Sequence, residues 1–343
     1  MKKNVHQVTV LGGGSFGTVI ANMIAANGYC VNLWLRDQSV AVNIANCGEN
    51  TTYLPGHKLH KNVVVTTDLK AAVEGCKSLF FAVPSSVFRE LAKNLYQWLD
   101  ADVQIISTAK GIEVGTFLLP TQILRQELPN TAVGLISGPN LAREIAERQI
   151  TATVVAHSDD AFCKHVQKLL VSPYFRVYTN HDQFGVELAG ALKNIYAIMA
   201  GIVAAKGLGE NTGAMLLTRS LAEMGRFAQH QGANPLTFLG LAGVGDLIAT
   251  CSSPLSRNYR VGFAFGSGKT LEEAVEELGE VAEGVNTLAQ VKRFADENDI
   301  YMPLVQGLYQ MIYNKVPLSL VIEKLMSSEQ NTDVEFTLSK EDV

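Results

Sequence analysis

Apolar and polar positions follow two regimes along this chain. In the first half, short and nearly continuous apolar runs recur: Val8-Thr-Val-Leu11, Val31-Asn-Leu-Trp-Leu35, Val63-Val-Val-Thr66, Leu79-Phe-Phe-Ala-Val83, Gln104-Ile-Ile-Ser107, Val133-Gly-Leu-Ile136, Ala152-Thr-Val-Val-Ala156 and Phe175-Arg-Val-Tyr178. Their length and β-branched content predict buried strands. Helical spacing fills several of the gaps. Ile20, Met23 and Ile24 mark a helix over 18–27 that Gly28 ends, and 86–98 predicts another. Strands alternating with helices predict an α/β fold with a doubly wound, mostly parallel Rossmann-type sheet. From Asp182 onward helical patterns take over, over 183–206, 214–231, 271–278, 287–298 and 304–313. The expected organisation is a dinucleotide-binding domain over 1–180, an all-α domain over 181–327 and a flexible acidic tail over 328–343.

Composition narrows the partners. The 343 residues are 47% hydrophobic and 18% charged, which suits two soluble domains with real cores. The net charge of −5, without a dense basic run, argues against nucleic acid. Cys30, Cys47, Cys76, Cys163 and Cys251 are scattered, odd in number and form no Cys-x-x-Cys, which points to a reducing, cytoplasmic setting. The N-terminus lacks the apolar region of a secretory signal. The most apolar run, 195–205, is too short to span a bilayer, and Lys193 stands just before it, so no stable membrane insertion is expected.

The first strand runs into Gly12-x-Gly14-x-x-Gly17, which then opens a helix. A bare pattern of this kind is a weak signal; strand before and helix after make it a dinucleotide fingerprint rather than some other glycine-rich turn. Gly12 allows the tight turn, Gly14 the approach of a pyrophosphate and Gly17 the packing of helix on strand. The cofactor is NADP, NAD or both. Asp37 has the spacing of an acid that binds a ribose 2′-hydroxyl, whereas Arg36 precedes it and suits a 2′-phosphate, or else is a solvated charge at a strand end.

The second half carries a grouping that a solvated helical hairpin has little use for. In Ala242-Gly-Val-Gly-Asp246 through Ser256-Arg-Asn258, a carboxylate is followed by a hydroxyl, a guanidinium and an amide, and Arg257 offers a planar fork of donors to a phosphate. Lys193 stands in a helix that is apolar on almost every side. Desolvation there should lower its pKa toward the range of a general acid–base. The plainer alternative is a lysine that snorkels to water or pairs with Glu187. Asn194, on another face of the helix, has reach to the cofactor or a neighbouring turn. Lys110 follows the fifth strand and Ser137-Gly-Pro-Asn-Leu-Ala142 follows the sixth, so both belong to the sheet edge that receives ligands, or are ordinary turn chemistry.

Three other signals are weaker. Gly266-Ser-Gly-Lys-Thr270 lacks the first glycine of a P-loop, since position 263 is Phe, and Thr270 with Glu273 fits a helix capping box. His57-Lys-Leu-His60 has no partner set for a metal, and nothing in the sequence activates Cys251.

Taken together, Gly12-Gly-Gly-Ser-Phe-Gly-Thr18, Ala82-Val-Pro-Ser85, Lys110-Gly-Ile-Glu113, Ser137-Gly-Pro139, Ala191-Leu-Lys-Asn194, Ala242-Gly-Val-Gly-Asp-Leu247, Ser256-Arg-Asn258 and Glu283-Gly-Val285 resemble the bacterial-type NAD(P)-dependent glycerol-3-phosphate dehydrogenases, over essentially 5–326. The order and spacing of these pieces carry the specificity. The resemblance implies a 6-phosphogluconate-dehydrogenase-like plan and a cytoplasmic homodimer that makes glycerol 3-phosphate for phospholipid synthesis. It implies that Lys193 is the proton acceptor when glycerol 3-phosphate is oxidised to dihydroxyacetone phosphate, and that Lys110, Gly138, Asp246, Ser256, Arg257 and Asn258 contact substrate. Ser15, Phe16, Arg36, Lys110, Ala142, Arg257, Val281 and Glu283 match its nucleotide contacts. Two positions depart from the pattern. Asn140-Leu141 replaces Ser or Thr followed by Phe, so an amide stands for a hydroxyl, with Asn140 kept among the substrate contacts. Gly213 stands where many members have a basic residue. The competing readings are a related two-domain β-hydroxyacid dehydrogenase and a non-catalytic NAD(P)-sensing regulator.

Overall fold

The computed structural model describes residues 7–278 and 282–327. It divides into two compact units, with the boundary between Gln183 and Phe184, three residues beyond the expected one.

Unit 1 is built on one eight-stranded sheet: β1 Gln7–Leu11, β2 Cys30–Trp34, β3 Val63–Thr66, β4 Ser78–Phe81, β5 Gln104–Ser107, β6 Ala132–Ser137, β7 Thr151–Ala156 and β8 Phe175–Asn180. The order is β3-β2-β1-β4-β5-β6-β7-β8, with every pair parallel except β6 and β7. The connecting helices are α1 Ser15–Ala26, α2 Gln38–Cys47, α3 Leu69–Val73, α4 Phe88–Leu95, α5 Pro120–Glu127, α6 Ala142–Ala146 and α7 Asp160–Leu170. Alternation along the strands splits the core between the two faces of the sheet. Val8, Val10, Phe80 and Ile106 pack with α1 and α7, while Leu11, Leu79, Phe81 and Ile105 pack with α3, α4 and α5. Near-continuous apolar strands are therefore required, because both faces are covered. β1 and β4 flank the point where the strand order reverses, and the C-terminal ends of β1 to β6 share one edge.

Unit 2 is helical among its described residues: α8 Gln183–Ala205, α9 Glu210–His230, α10 Asp246–Ser252, α11 Arg257–Gly266, α12 Leu271–Leu278, α13 Glu283–Glu297, α14 Pro303–Tyr313 and α15 Leu318–Ser327, with a π-helical turn at Leu241–Gly245 before α10. α8 corrects one expectation. The apolar helix is not too short to cross a bilayer: it has 23 residues, and an 18-residue window reaches a mean hydropathy of 1.6. Since 78% of that window is buried inside the protein, core packing accounts for its composition. The expected capping box is present. Thr270 N–H donates to Glu273 Oε2 (2.8 Å), and Glu273 N–H donates to Thr270 Oγ1 (3.2 Å).

One buried carboxylate ties three helices together. Glu223 on α9 accepts N–H bonds from Leu304 (2.6 Å) and Val305 (3.3 Å), capping α14 just after its opening proline, and accepts from Tyr196 Oη of α8 (3.2 Å). Burial pushes its carboxyl up to about 7, against these hydrogen bonds. A raised acid pKa means that the folded state holds the proton more tightly than the unfolded chain. That contribution to stability is full below the ordinary carboxylate range, near 4.5, and is lost as pH rises to about 7. Glu223→Gln keeps an acceptor for α14 and cannot ionise. Its melting temperature is expected to match wild type near pH 5 and exceed it near pH 8. Parallel melting curves across this window would show that Glu223 does not carry the pH dependence.

Candidate active site

In unit 1 the glycine turn joins β1 to α1 at the reversal of strand order. Gly12 lies at φ +114°, and a Cβ there would sit 2.4 Å from the Ala82 carbonyl oxygen, just beyond β4. A Cβ on Gly17 would sit 1.9 Å from Gly12 O, so only hydrogen lets α1 lie this close to the turn. Gly14 begins α1 with no side-chain cap, and a Cβ on it would meet nothing within 4 Å. The first N–H groups of α1 thus open beside a residue without a side chain. This cradle fits a pyrophosphate at the positive end of a helix. Ser15 turns its hydroxyl away, donating to Tyr53 O (2.6 Å), and Phe16 packs on the core.

The two cofactor-selecting candidates separate. Arg36 is exposed beyond β2. Asp37 is the N-cap of α2: its Oδ1 accepts from Ser39 Oγ (2.6 Å), Ser39 N–H (2.8 Å) and Val40 N–H (3.2 Å). The Ser39 hydroxyl, and then these N–H groups, hold the carboxyl below its usual range. The acid at the ribose-binding spacing is therefore already engaged in capping, which leaves Arg36 as the cation at this strand end.

Lys110 is half-buried, and its Nζ donates to Gly138 O (2.9 Å), where the backbone turns through φ +135°. Two supports fix this pair. Thr153 Oγ1 donates to Ser137 O and accepts from Asn140 Nδ2, both at 2.9 Å. Arg89 grips Glu113, three residues beyond Lys110, through two bonds of 2.7 Å, and also pairs with Glu127. That fork holds the Glu113 carboxyl below its usual range. Ser137 Oγ and Asn140 Oδ1 are buried without a hydrogen-bond partner. The amide that departs from the family pattern thus holds the loop with its nitrogen and keeps its oxygen for another donor. Ala142 opens α6.

In unit 2, Lys193 is 5% exposed, so its amine sits inside the helical core. Its Nζ meets Asp246 Oδ1 at 2.6 Å and contacts Thr250 Oγ1. Asp246 is itself 1% exposed, and Thr250 donates to the same carboxylate oxygen (3.2 Å). Burial disfavours the ammonium, and the carboxylate opposes that effect. Thr250 is absent from the sequence-derived set. It lies one helical turn after Asp246 on α10, so i,i+4 spacing was the available signal. Burial pushes the neighbouring Cys251 thiol up to about 12, which makes it an inert packing group.

The remaining residues gather at two helix starts. Ser256 is the N-cap of α11, accepting from Tyr259 N–H (3.3 Å), and Arg257 follows as its exposed first residue. Asn258 is buried, and its Oδ1 accepts from Gly284 N–H (3.1 Å) at the start of α13, beside half-buried Glu283. A Cβ on Gly284 would lie 2.6 Å from both Asn194 O and Asn258 Oδ1, so α8, α11 and α13 converge there. Val281, the other nucleotide candidate of this segment, lies outside the described residues, as does the acidic tail. His60 Nδ1 accepts from Asn62 N–H in a local turn.

Residues 7–163 match the family model described as NAD-dependent glycerol-3-phosphate dehydrogenase N-terminus, and residues 182–323 match its C-terminus. A glycerol-3-phosphate dehydrogenase of Saccharophagus degradans, named for NAD(P)+, is 55% identical over 330 residues, covering 96% of this chain and 92% of that protein. One from Alcanivorax borkumensis with the same name is 52% identical, covering 98% of each. The crystal structure of glycerol-3-phosphate dehydrogenase from Coxiella burnetii superposes with a TM-score of 0.90 at 35% identity, covering 94% of this chain and 99% of that one. With both halves of the family model matched in order, the chain belongs to the NAD-dependent glycerol-3-phosphate dehydrogenases.

Proposed function

We propose that this chain is an NAD(P)-dependent oxidoreductase that interconverts sn-glycerol 3-phosphate and dihydroxyacetone phosphate. The observation that carries the chemistry is the buried Lys193–Asp246–Thr250 cluster, in a chain whose first unit holds a pyrophosphate cradle. Bound nicotinamide supplies the hydride for reduction and accepts it for oxidation. Lys193 does the proton chemistry. As a neutral amine it takes the C2 hydroxyl proton during oxidation, and as an ammonium it returns one during reduction. Asp246 and Thr250 hold the amine in one place, so little reorganisation is needed when the proton moves.

Arg257, with Ser256 and Asn258 at the start of α11, is assigned to the substrate phosphate. There a guanidinium fork and helix N–H groups suit the same anion. Lys110, Gly138 and Asn140 are the substrate residues assigned to unit 1. Gly12, Gly14, Ser15, Phe16, Gly17, Arg36, Lys110 and Ala142 are assigned to the nucleotide, together with Arg257, Val281 and Glu283. The engagement of Asp37 in capping, with Arg36 exposed beside it, favours NADP or use of both cofactors. A cytoplasmic homodimer supplying glycerol 3-phosphate for phospholipid synthesis completes the proposal.

The test is a spectrophotometric assay of the full chain with dihydroxyacetone phosphate, first with NADPH and then with NADH. Turnover should require the phosphate, with unphosphorylated dihydroxyacetone a poor substrate. Arg257→Ala should lower kcat/KM for the phosphorylated substrate on the order of 10²-fold, because remote anchoring also orients the reacting carbon. Equal loss on the unphosphorylated ketone would remove Arg257 from the phosphate site. Preference for an unphosphorylated β-hydroxyacid would favour the competing dehydrogenase, and nucleotide binding without turnover would favour a sensor.

A further inference from the structure

The nucleotide cradle is held in shape by a residue outside the glycine motif. Asn50 lies in the segment between α2 and β3 and is 0% exposed. Its Nδ2 donates to Gly13 O (2.7 Å) and to Thr18 Oγ1 (2.8 Å), while its Oδ1 accepts from Tyr53 N–H (3.2 Å). Tyr53 closes the circle, because its carbonyl accepts from Ser15 Oγ (2.6 Å). Four residues of Gly12-Gly-Gly-Ser-Phe-Gly-Thr18 or its partner segment are thus tied by one buried amide and the turn that it organises.

The geometry points to Asn50 as the positioning residue for the pyrophosphate-binding loop. The carbonyl of Gly13 and the N–H of Gly14 belong to one planar trans peptide and point in opposite directions. When Asn50 holds that carbonyl inward, it turns the Gly14 N–H the opposite way, at a residue where a Cβ would meet nothing within 4 Å. Glycines on both sides leave this peptide with little intrinsic preference, so an external anchor has to select its orientation. Without Asn50, Gly13 O would keep only the long contact from Thr18 Oγ1 (3.5 Å), a weak hold against rotation of the peptide toward water. The binding-competent loop would then be one conformer among several, and apparent affinity falls in proportion to its population. Asn50 needs no contact with the nucleotide to have this effect. The inference rests on the proposed dehydrogenase function and adds a residue to its cofactor site.

The experiment measures Kd for NADH, NADPH and ADP-ribose, with KM for dihydroxyacetone phosphate at saturating NADH, in wild type, Asn50→Ala and Asn50→Asp. A competent population near one tenth raises all three Kd values together by about 10-fold in Asn50→Ala. KM for dihydroxyacetone phosphate should move less than about 2-fold, since the ketone carries no pyrophosphate. Asn50→Asp should lose more, because a carboxylate would face Gly13 O and repel the anion. A residue that only stabilised the fold would lower the melting temperature and leave Kd unchanged. Kd values within about 2-fold of wild type in a folded Asn50→Ala would overturn the proposal. If that variant does not fold, Thr18→Val decides. It keeps the Asn50 bond to Gly13 O but strands one Nδ2 hydrogen and removes the long Thr18 Oγ1 contact to the same carbonyl (3.5 Å); a rise of about 3-fold in Kd supports the anchored Gly13 peptide, and no change overturns it. Failure of the wild type to bind either NADH or NADPH would overturn the dehydrogenase function as well, which separates the two claims.

Discussion

Lys193→Ala is expected to lower kcat by about 10²–10⁴-fold while leaving nucleotide binding intact, the range typical of a lost general acid–base. The substitution also has a structural consequence that has to be separated from the chemistry. It leaves the Asp246 carboxylate, 1% exposed, without its cation, and an uncompensated buried charge costs roughly 3–5 kcal/mol. A single variant would confuse a misfolded site with a missing proton carrier. The double variant Lys193→Met with Asp246→Asn removes both charges and keeps most of the volume. It should regain much of the stability and none of the rate. Unfolding curves and kcat on the same preparations distinguish the outcomes. A folded Lys193→Ala with wild-type turnover would end the assignment, as would recovery of activity in the double variant.

The clues to this site were unevenly spread through the sequence. The strands of unit 1 could be read because both faces of the sheet are covered, which makes each strand an apolar run. The glycine turn could be read because a positive φ at Gly12 and the 1.9 Å approach at Gly17 admit no side chain. Lys193 stood out as a charge within a buried helix. Two acids were open as its neighbour, Glu187 on the same helix and Asp246, for which orienting either the lysine or a substrate hydroxyl was expected; Asp246 arrives from α10, brought by tertiary packing. Asp37 was read only by its distance from the glycine turn, as a ribose contact; the cap that it forms, with Ser39 following, emerges from the structure. The short helices α10 and α11 were hidden because Pro254 and the serines around it read as loop. Asn50 left no periodic trace: in Asn50-Thr-Thr-Tyr53 it resembles a solvated turn, and only the returning chain shows it to be buried.

Gly262→Val is expected to cost about 3–5 kcal/mol, a large share of the net stability of a domain. A Cβ on Gly262 would lie 1.9 Å from Ile198 O, and one on Gly201 would lie 2.1 Å from Tyr259 O, so α8 and α11 cross backbone against backbone. Gly266 continues the same contact one turn further, with a Cβ 2.9 Å from Ile202 Cα. Helical carbonyls on a buried helix cannot move aside as a flexible side chain would, so the helices would have to separate. That crossing also sets the site: Lys193 lies one turn and a residue before Ile198 on α8, and Asn258 lies one turn before Gly262 on α11. Any folded fraction should therefore also lose turnover. Gly213 is the control. It stands inside α9 with nothing within 4 Å of a Cβ, so Gly213→Ala should gain roughly 0.5–1 kcal/mol from helix propensity. Urea unfolding of both variants checks the pair. Equal midpoints for Gly262→Val and wild type would mean that the helices do not approach this closely in solution, and the spacing that fixes Lys193 relative to Asn258 would need another cause.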